Sequence, residues 1–470
     1  MPTAIVIPSV SEGSPLGTMT SDRNSRSRLG FLLPKVVGMT ARIVGFAALL
    51  LASLPAGAVT VEKVTSAKGI EAWLVQDHAN PIIAMEIAFK GGAAHDPAAK
   101  SGLAGMMAAL LDEGAGPHDS QAFQQILEDK VITLGFNAGR DSFAGHLKTL
   151  SENRDTAFEL FRLSLVQPRF DKEPVERIRG QLLAGLMRES QDSGAQASRA
   201  LFEAAFAGHA YARSPRGTVE TVKTIQVADL RAFAKGQLTR DRLVVGVVGD
   251  ITPQELARRL DEVFGALPAT GPLGDIPEVV AHLPAGLVVI PKDNPQTTAL
   301  FALPGLRRDD PDWYAAYVVN YILGGGGFSS RLTEEVREKR GLAYSVTSYL
   351  SPYAHSGLIV GSVATENSRF AESVRLIKEE FRRMRDEGPS ETELADAKTY
   401  LNGSFPLSQD STTAIATLLV QMQVDRLGID FLDRRASVIG AVSLGDARRA
   451  AKRLLDADAL SFVAVGKPAR

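Results

Sequence analysis

The 470-residue chain carries 52 Lys and Arg against 54 Asp and Glu, a formal net charge of −2, with 45% hydrophobic and 23% charged residues. This is globular composition with room for two to four domains, and it gives no ground for a nucleic-acid partner. Cysteine is absent, which excludes disulfides, thiolate metal sites and cysteine nucleophiles.

Residues 1–58 read as an N-terminal extension and export signal. Residues 1–38 are polar and rich in Ser and Arg, unlike folded protein. Residues 43–55, "IVGFAALLLASLP", form a short apolar run behind Lys35 and Arg42 and ahead of Ala56-Gly57-Ala58. A basic flank, a short apolar core and a small-residue exit predict a secretory signal peptide cleaved near Ala58, with Met39 as a credible start. A membrane anchor is the competing reading, and the small-residue exit argues against it. No other stretch is long and apolar enough to span a bilayer, so the mature protein is expected to be soluble and exported, periplasmic in a cell with an outer membrane.

Along the mature chain, residues 82–89, "IIAMEIAF", read as a strand. Residues 102–111, "GLAGMMAALL", read as a helix that buries Leu103, Met106, Met107, Leu110 and Leu111. Its other face carries only Gly105, Ala108 and Ala109, as a close helix–helix contact would also require. Residues 135–146, "GFNAGRDSFAGH", fit a strand with a Gly-Arg-Asp kink, and "RLVVGVVGD" (242–250) fits a strand running into glycine. Thr252-Pro253-Gln254-Glu255 spells a capping box with proline at the first helical position, opening a helix to about Phe264.

Residues 266–284 are rich in Pro and Gly and read as a linker between two alike halves. Asn80-Pro81 and Asp96-Pro97 recur as Asn294-Pro295 and Asp310-Pro311, at one offset of 214. Strand "TALFAL" (298–303) echoes the first strand, and "ALSFVAVGK" (459–467) echoes 242–250. Ser390-Glu391-Thr392-Glu393 is a second capping box. The pattern predicts an α+β fold of two homologous domains, 59–265 and 285–470, each a mainly antiparallel sheet with helices packed on one face.

Between them in interest stands 324–344, "GGGGFSSRLTEEVREKRGLAY". Four consecutive glycines cost roughly 1 kcal/mol each in a helix, so a mobile loop at Gly324–Gly327 is expected. A helix from about Ser329 to Lys339 should follow, ended by Gly341, with a strand starting at Tyr344.

The 324–344 segment and the duplicated plan resemble the M16 (pitrilysin-like) metallopeptidases over about residues 60–467. In that family a "Gly-Leu-Ala" opens a helix bearing His-x-x-Glu-His, with a further Glu about seventy-five residues on. Histidines at i and i+4 share a helix face and bind zinc, and the Glu between them is the general base. Here "GLA" stands at 102–104, but the matching positions are Gly105, Ala108 and Ala109, and the distant Glu falls on Gly185, with Glu189 nearby. No two of the seven histidines lie within ten residues of each other. The resemblance therefore implies no metal bound by this chain.

It also implies roles for what is kept. Arg337 and Tyr344 match the pair that points at the substrate and stabilises an oxyanion. Gly324, Gly325, Gly326, Gly327 and Phe328 match the substrate-side loop, and Asn137 and Ala138 match the edge strand that pairs with an extended peptide. The expected protein is the non-zinc subunit of an exported heterodimer, with zinc and His-x-x-Glu-His on a homologous partner chain. That division of labour resembles the mitochondrial processing peptidase, where the alpha subunit is the non-zinc chain. The alternative is a catalytically inactive peptide-binding or scaffold protein of the same fold. A serine hydrolase using "FSS" (328–330) or "GSF" (403–405) lacks a positioned His and Asp.

Overall fold

Strand β3 (Ile82–Lys90) is repeated by β8 (Gln296–Pro304) at the offset of 214 seen in the sequence. In the computed structural model, which describes residues 60–469, each strand lies at the centre of its own sheet. The signal-peptide and start-site expectations fall outside the described residues.

The first sheet holds β1 (Glu62–Thr65), β2 (Glu71–Gln76), β3, β4 (Thr133–Ala138), β5 (Ser142–Leu150) and β6 (Leu243–Gly249), in the order β1-β2-β6-β3-β5-β4. The second holds β7 (Gly286–Pro291), β8, β9 (Ala343–Tyr353), β10 (Ser356–Glu366) and β11 (Ser461–Gly466), in the order β7-β11-β8-β10-β9. Each has one parallel pair, β2–β6 or β7–β11, and is otherwise antiparallel. Residues 266–284 contain no helix or strand. The described residues from 61 onward form one compact unit.

Helices of the first half are α1 (Leu103–Ala108), α2 (Ser120–Asp129), α3 (Arg154–Val166), α4 (Lys172–Glu189), α5 (Ser193–Ala205), α6 (Val219–Thr224), α7 (Val227–Gln237) and α8 (Pro253–Phe264). Those of the second are α9 (Trp313–Asn320), α10 (Phe370–Glu387), α11 (Glu391–Gly403), α12 (Thr412–Val424), α13 (Phe431–Ala441) and α14 (Leu444–Leu454). Helix α8 shows the local logic. Thr252 caps it, Pro253 opens it, and Leu256, Leu260, Val263 and Phe264 recur on one buried face.

Each sheet packs its own helices on one face, and each borrows a helix from the other half for the second face. Helix α12 lies on β3 and β6, and α5 lies on β8 and β11. Gly246 makes the first of these possible. A Cβ there would sit 2.7 Å from the carbonyl oxygen of Ala416 on α12, so only glycine admits the helix backbone this close. Buried Tyr211 fastens the halves a second time. Its hydroxyl donates to Asp141 Oδ1 at 2.6 Å and accepts from the amide of His355 at 3.1 Å, while Asp141 Oδ2 accepts from the amide of Ala354 at 2.9 Å.

Candidate functional site

Helix α1 is shorter than the periodicity predicts: it ends at Ala108, and residues 109–112 form turns. Gly102 enters it at φ +95°, and the Asp96 carboxylate accepts from the amides of Gly102 (2.9 Å) and Ala104 (3.1 Å). Burial raises the Asp96 carboxyl to about 7, against the lowering effect of these hydrogen bonds. Met106, Met107 and Ala108 are buried, and Gly105 and Ala109 are half-buried. The 213–218 segment crosses this helix: the carbonyl oxygens of Pro215 and Arg216 stand 3.5 and 2.7 Å from the Cβ positions of Gly105 and Gly102. On α4 the Gly185 position faces empty space. One turn further, Glu189 is held by Arg216 at 3.1 Å and Arg199 at 4.0 Å.

In the second half the glycine tract departs from the expected loop. Gly324 and Gly325 belong to a wide helical turn, Tyr321–Gly325, that continues α9, and only the end of the tract leaves it, with Gly327 at φ +56°. The reason is contact rather than freedom. A Cβ on Gly324 would sit 2.8 Å from the amide nitrogen of Ser348 and 2.4 Å from its hydroxyl. That approach joins the turn to β9, and reciprocal hydrogen bonds between Asn320 and Ser348, Nδ2 to the carbonyl at 3.0 Å and hydroxyl to Oδ1 at 2.8 Å, hold it there. The helix expected over 329–339 is also a wide turn, Thr333–Glu338, in which the Lys339 amide donates to Glu334 O at 2.9 Å. Gly341, at φ +59°, then turns the chain into β9.

These turns bring three predicted residues together. The Arg337 guanidinium carbon lies 4.5 Å from the Phe328 ring centre and 5.1 Å from that of Tyr344. The arginine thus lies over two aromatic faces, a favourable arrangement for a cation, with Glu338 at 3.4 Å from its Nε. Phe328 and Tyr344 are 70% and 84% exposed, so the cluster is a surface and not a core. A shallow cleft of about 390 Å³ adjoins it, lined by Gln296, Arg337, Glu338, Tyr344, Thr365 and Glu366.

The remaining predicted residues lie on β4, the edge strand of the first sheet. Asn137 is exposed, but Ala138 packs against the hydrophobic core. Strand alternation places adjacent residues on opposite faces, so of the pair only Asn137 can offer a side chain to a peptide, and Ala138 can offer backbone alone. Sequence reasoning missed the Asp141–Tyr211 pair and the partner of Arg331, Glu393, because both depend on contacts between distant segments.

Residues 224–401 match the family described as Peptidase M16 inactive domain. The non-peptidase homolog YmxG of Helicobacter pylori is 30% identical over 364 residues, covering 77% of this chain and 83% of that protein. Mitochondrial-processing peptidase subunit beta of Blastocladiella emersonii is 24% identical over 432 residues, covering 88% and 91%. A crystal structure of a peptidase M16 inactive domain from Pseudomonas fluorescens superposes with a TM-score of 0.81 at 29% identity, covering 87% of this chain and 98% of that one. Two interlocked α+β halves of this kind define the M16 architecture. The chain belongs to the M16 peptidase family.

Zinc, the metal of that family's catalytic members, does not fit the residues here. Gly105, Ala108, Ala109 and Gly185 carry no donor atoms, and the nearby carboxylate of Glu189 is engaged by two arginines. Among the described residues no group of three His, Asp or Glu gathers to hold a metal. Nor, among them, is any helix long and apolar enough to cross a membrane.

Proposed function

We propose that this chain is the non-zinc subunit of an exported two-chain M16 peptidase. One observation carries the reading: the Phe328–Arg337–Tyr344 cluster is kept, solvent-facing and ordered by its own turns, in a chain whose α1 has lost every metal donor. A scaffold has no use for a half-buried arginine held beside an exposed phenol.

In this reading Arg337 and Tyr344 donate hydrogen bonds to the peptide carbonyl as negative charge develops on its oxygen. The exposed glycines and Phe328 flank the bound peptide, and β4 pairs with it through backbone hydrogen bonds, Asn137 facing its side chains. A homologous chain bearing His-x-x-Glu-His supplies the zinc. Residues 43–58 direct export, to the periplasm in a cell with an outer membrane. The second reading, a peptide-binding or scaffold protein without catalytic part, is favoured by the non-peptidase description of the Helicobacter pylori relative.

Native mass spectrometry of the tagged protein, purified with metal retained from the exported fraction of its source, separates the two. A complex with a second chain of similar mass and one zinc per pair is the expected result. A metal-free monomer or homodimer would overturn it in favour of the scaffold.

A further inference from the structure

Across the first sheet runs one row of directly opposed residues: Gly135 on β4, His146 on β5, Glu86 on β3 and Gly246 on β6. Directly opposed residues share a face, and on this row only two side chains stand between two glycines. The inner end is closed, because α12 fills the space over Gly246. The outer end is the free edge of the sheet. There a Cβ on Gly135 would meet His146 Cε1 at 2.7 Å and Nε2 at 3.1 Å, so the imidazole occupies the volume that a side chain on the edge strand would have taken. Thr133 and Asn137, the same-face neighbours of Gly135, are both exposed.

A strand added to β4 puts the Cβ of the residue opposite Gly135 about 4.5–5.5 Å from that position, on the same face. Its side chain then faces the His146 ring, with Thr133 and Asn137 on either side. Resting on the peptide-binding reading above, we propose that His146 selects the peptide residue opposite Gly135, favouring an uncharged hydrogen-bonding side chain (Ser, Thr, Asn, Gln) over Lys or Arg.

The surroundings explain the preference. Burial lowers the His146 pKa and raises the Glu86 carboxyl to about 8, so both are neutral near pH 7. A neutral imidazole offers one donor and one acceptor. A cation placed beside it loses water to a neutral ring that offers no counter-charge. Lys148, exposed on the same face two residues along β5 and opposite Thr133, adds repulsion.

The test uses a position-scanning library of dye-labelled nine-residue peptides, each with one fixed residue, titrated against the full protein in the complex isolated from its source. Wild type should show one position at which Ser, Thr, Asn and Gln bind about tenfold tighter than Lys and Arg. His146→Ala, and His146→Phe as the variant that keeps the ring volume, should flatten that position to within about twofold and leave the others unchanged. An identical profile in wild type and both variants would overturn the selection by His146 while leaving peptide binding in place. Absence of binding by wild type would overturn the underlying reading, and this one with it.

Discussion

The Arg331 guanidinium grips the Glu393 carboxylate with two hydrogen bonds, 2.6 Å from Nε and 2.8 Å from Nη2. The same carboxylate completes the capping box of α11 by accepting from the Ser390 amide at 2.8 Å. Residue 331, just after the glycine tract, is thereby tied to a helix start sixty residues on. Arg331 is buried but the Glu393 side chain is 32% exposed, so removing one partner costs less than the roughly 3–5 kcal/mol of a fully buried pair. Glu393→Ala should lower unfolding free energy toward that range, read by urea denaturation. Arg331 also holds the Glu393 pKa down to about 2. A lowered carboxylate pKa gives stability that is present above its unfolded value and lost as pH falls toward the folded one. The difference between wild type and Glu393→Ala should accordingly shrink below about pH 4.

Asp96 has the opposite sign. Its carboxyl is raised to about 7 by burial, so the folded protein holds the proton more tightly than the unfolded chain. The resulting stability is full below about pH 4 and fades as pH rises to about 7. Asp96→Asn keeps one acceptor oxygen, for one of the two amides, without that proton. Its stability relative to wild type should rise steadily across this window, and a flat difference would contradict the assignment.

Tyr344→Phe removes one hydroxyl and keeps the ring on which Arg337 stacks. Tyr344 is 84% exposed, so thermal stability should not move. Peptide turnover by the assembled pair should fall by ~10²–10³, the usual loss for one oxyanion donor. Turnover within a few-fold of wild type would remove Tyr344 from the chemistry.

Gly246→Val would drive a branched side chain into the α12 backbone, 2.7 Å away at the first carbon. Overpacking of this kind costs about 1–3 kcal/mol or more. Gly180→Ala makes the contrast, since its position on α4 meets nothing within 4 Å. It should stabilise the helix by about 0.5–1 kcal/mol. Paired thermal melts check both.

Much of the fold was legible because its signals are local. The 82–89 strand, the Thr252 and Ser390 caps and the 214-residue repeat all follow from spacing along the chain. Even there the structure trims the reading: Thr252 accepts from the Glu255 amide, yet only Ser390 forms the reciprocal box. The glycine tract misled because glycine signals a permitted backbone in two ways, by freedom and by lack of bulk. At Gly324 the second applies, and the cause is Ser348, on a strand that sequence spacing does not bring close. The Phe328–Arg337–Tyr344 cluster could be read in outline from one segment. The inward turn of Ala138 depended on the pairing register of β4, which one-residue shifts reverse.

The exchange of α5 and α12 also governs the order in which this chain can mature. During synthesis the first sheet has all its strands once Gly249 is made, yet one face stays bare until residues 412–424 arrive. Helix α5, made early, likewise waits for β8 and β11. Folding by successive independent halves, common in long chains, is closed to this one. Any intermediate that lacks residues 412–424 must carry an uncovered apolar sheet face, and that interval is when the protein is most exposed to aggregation and most in need of a chaperone.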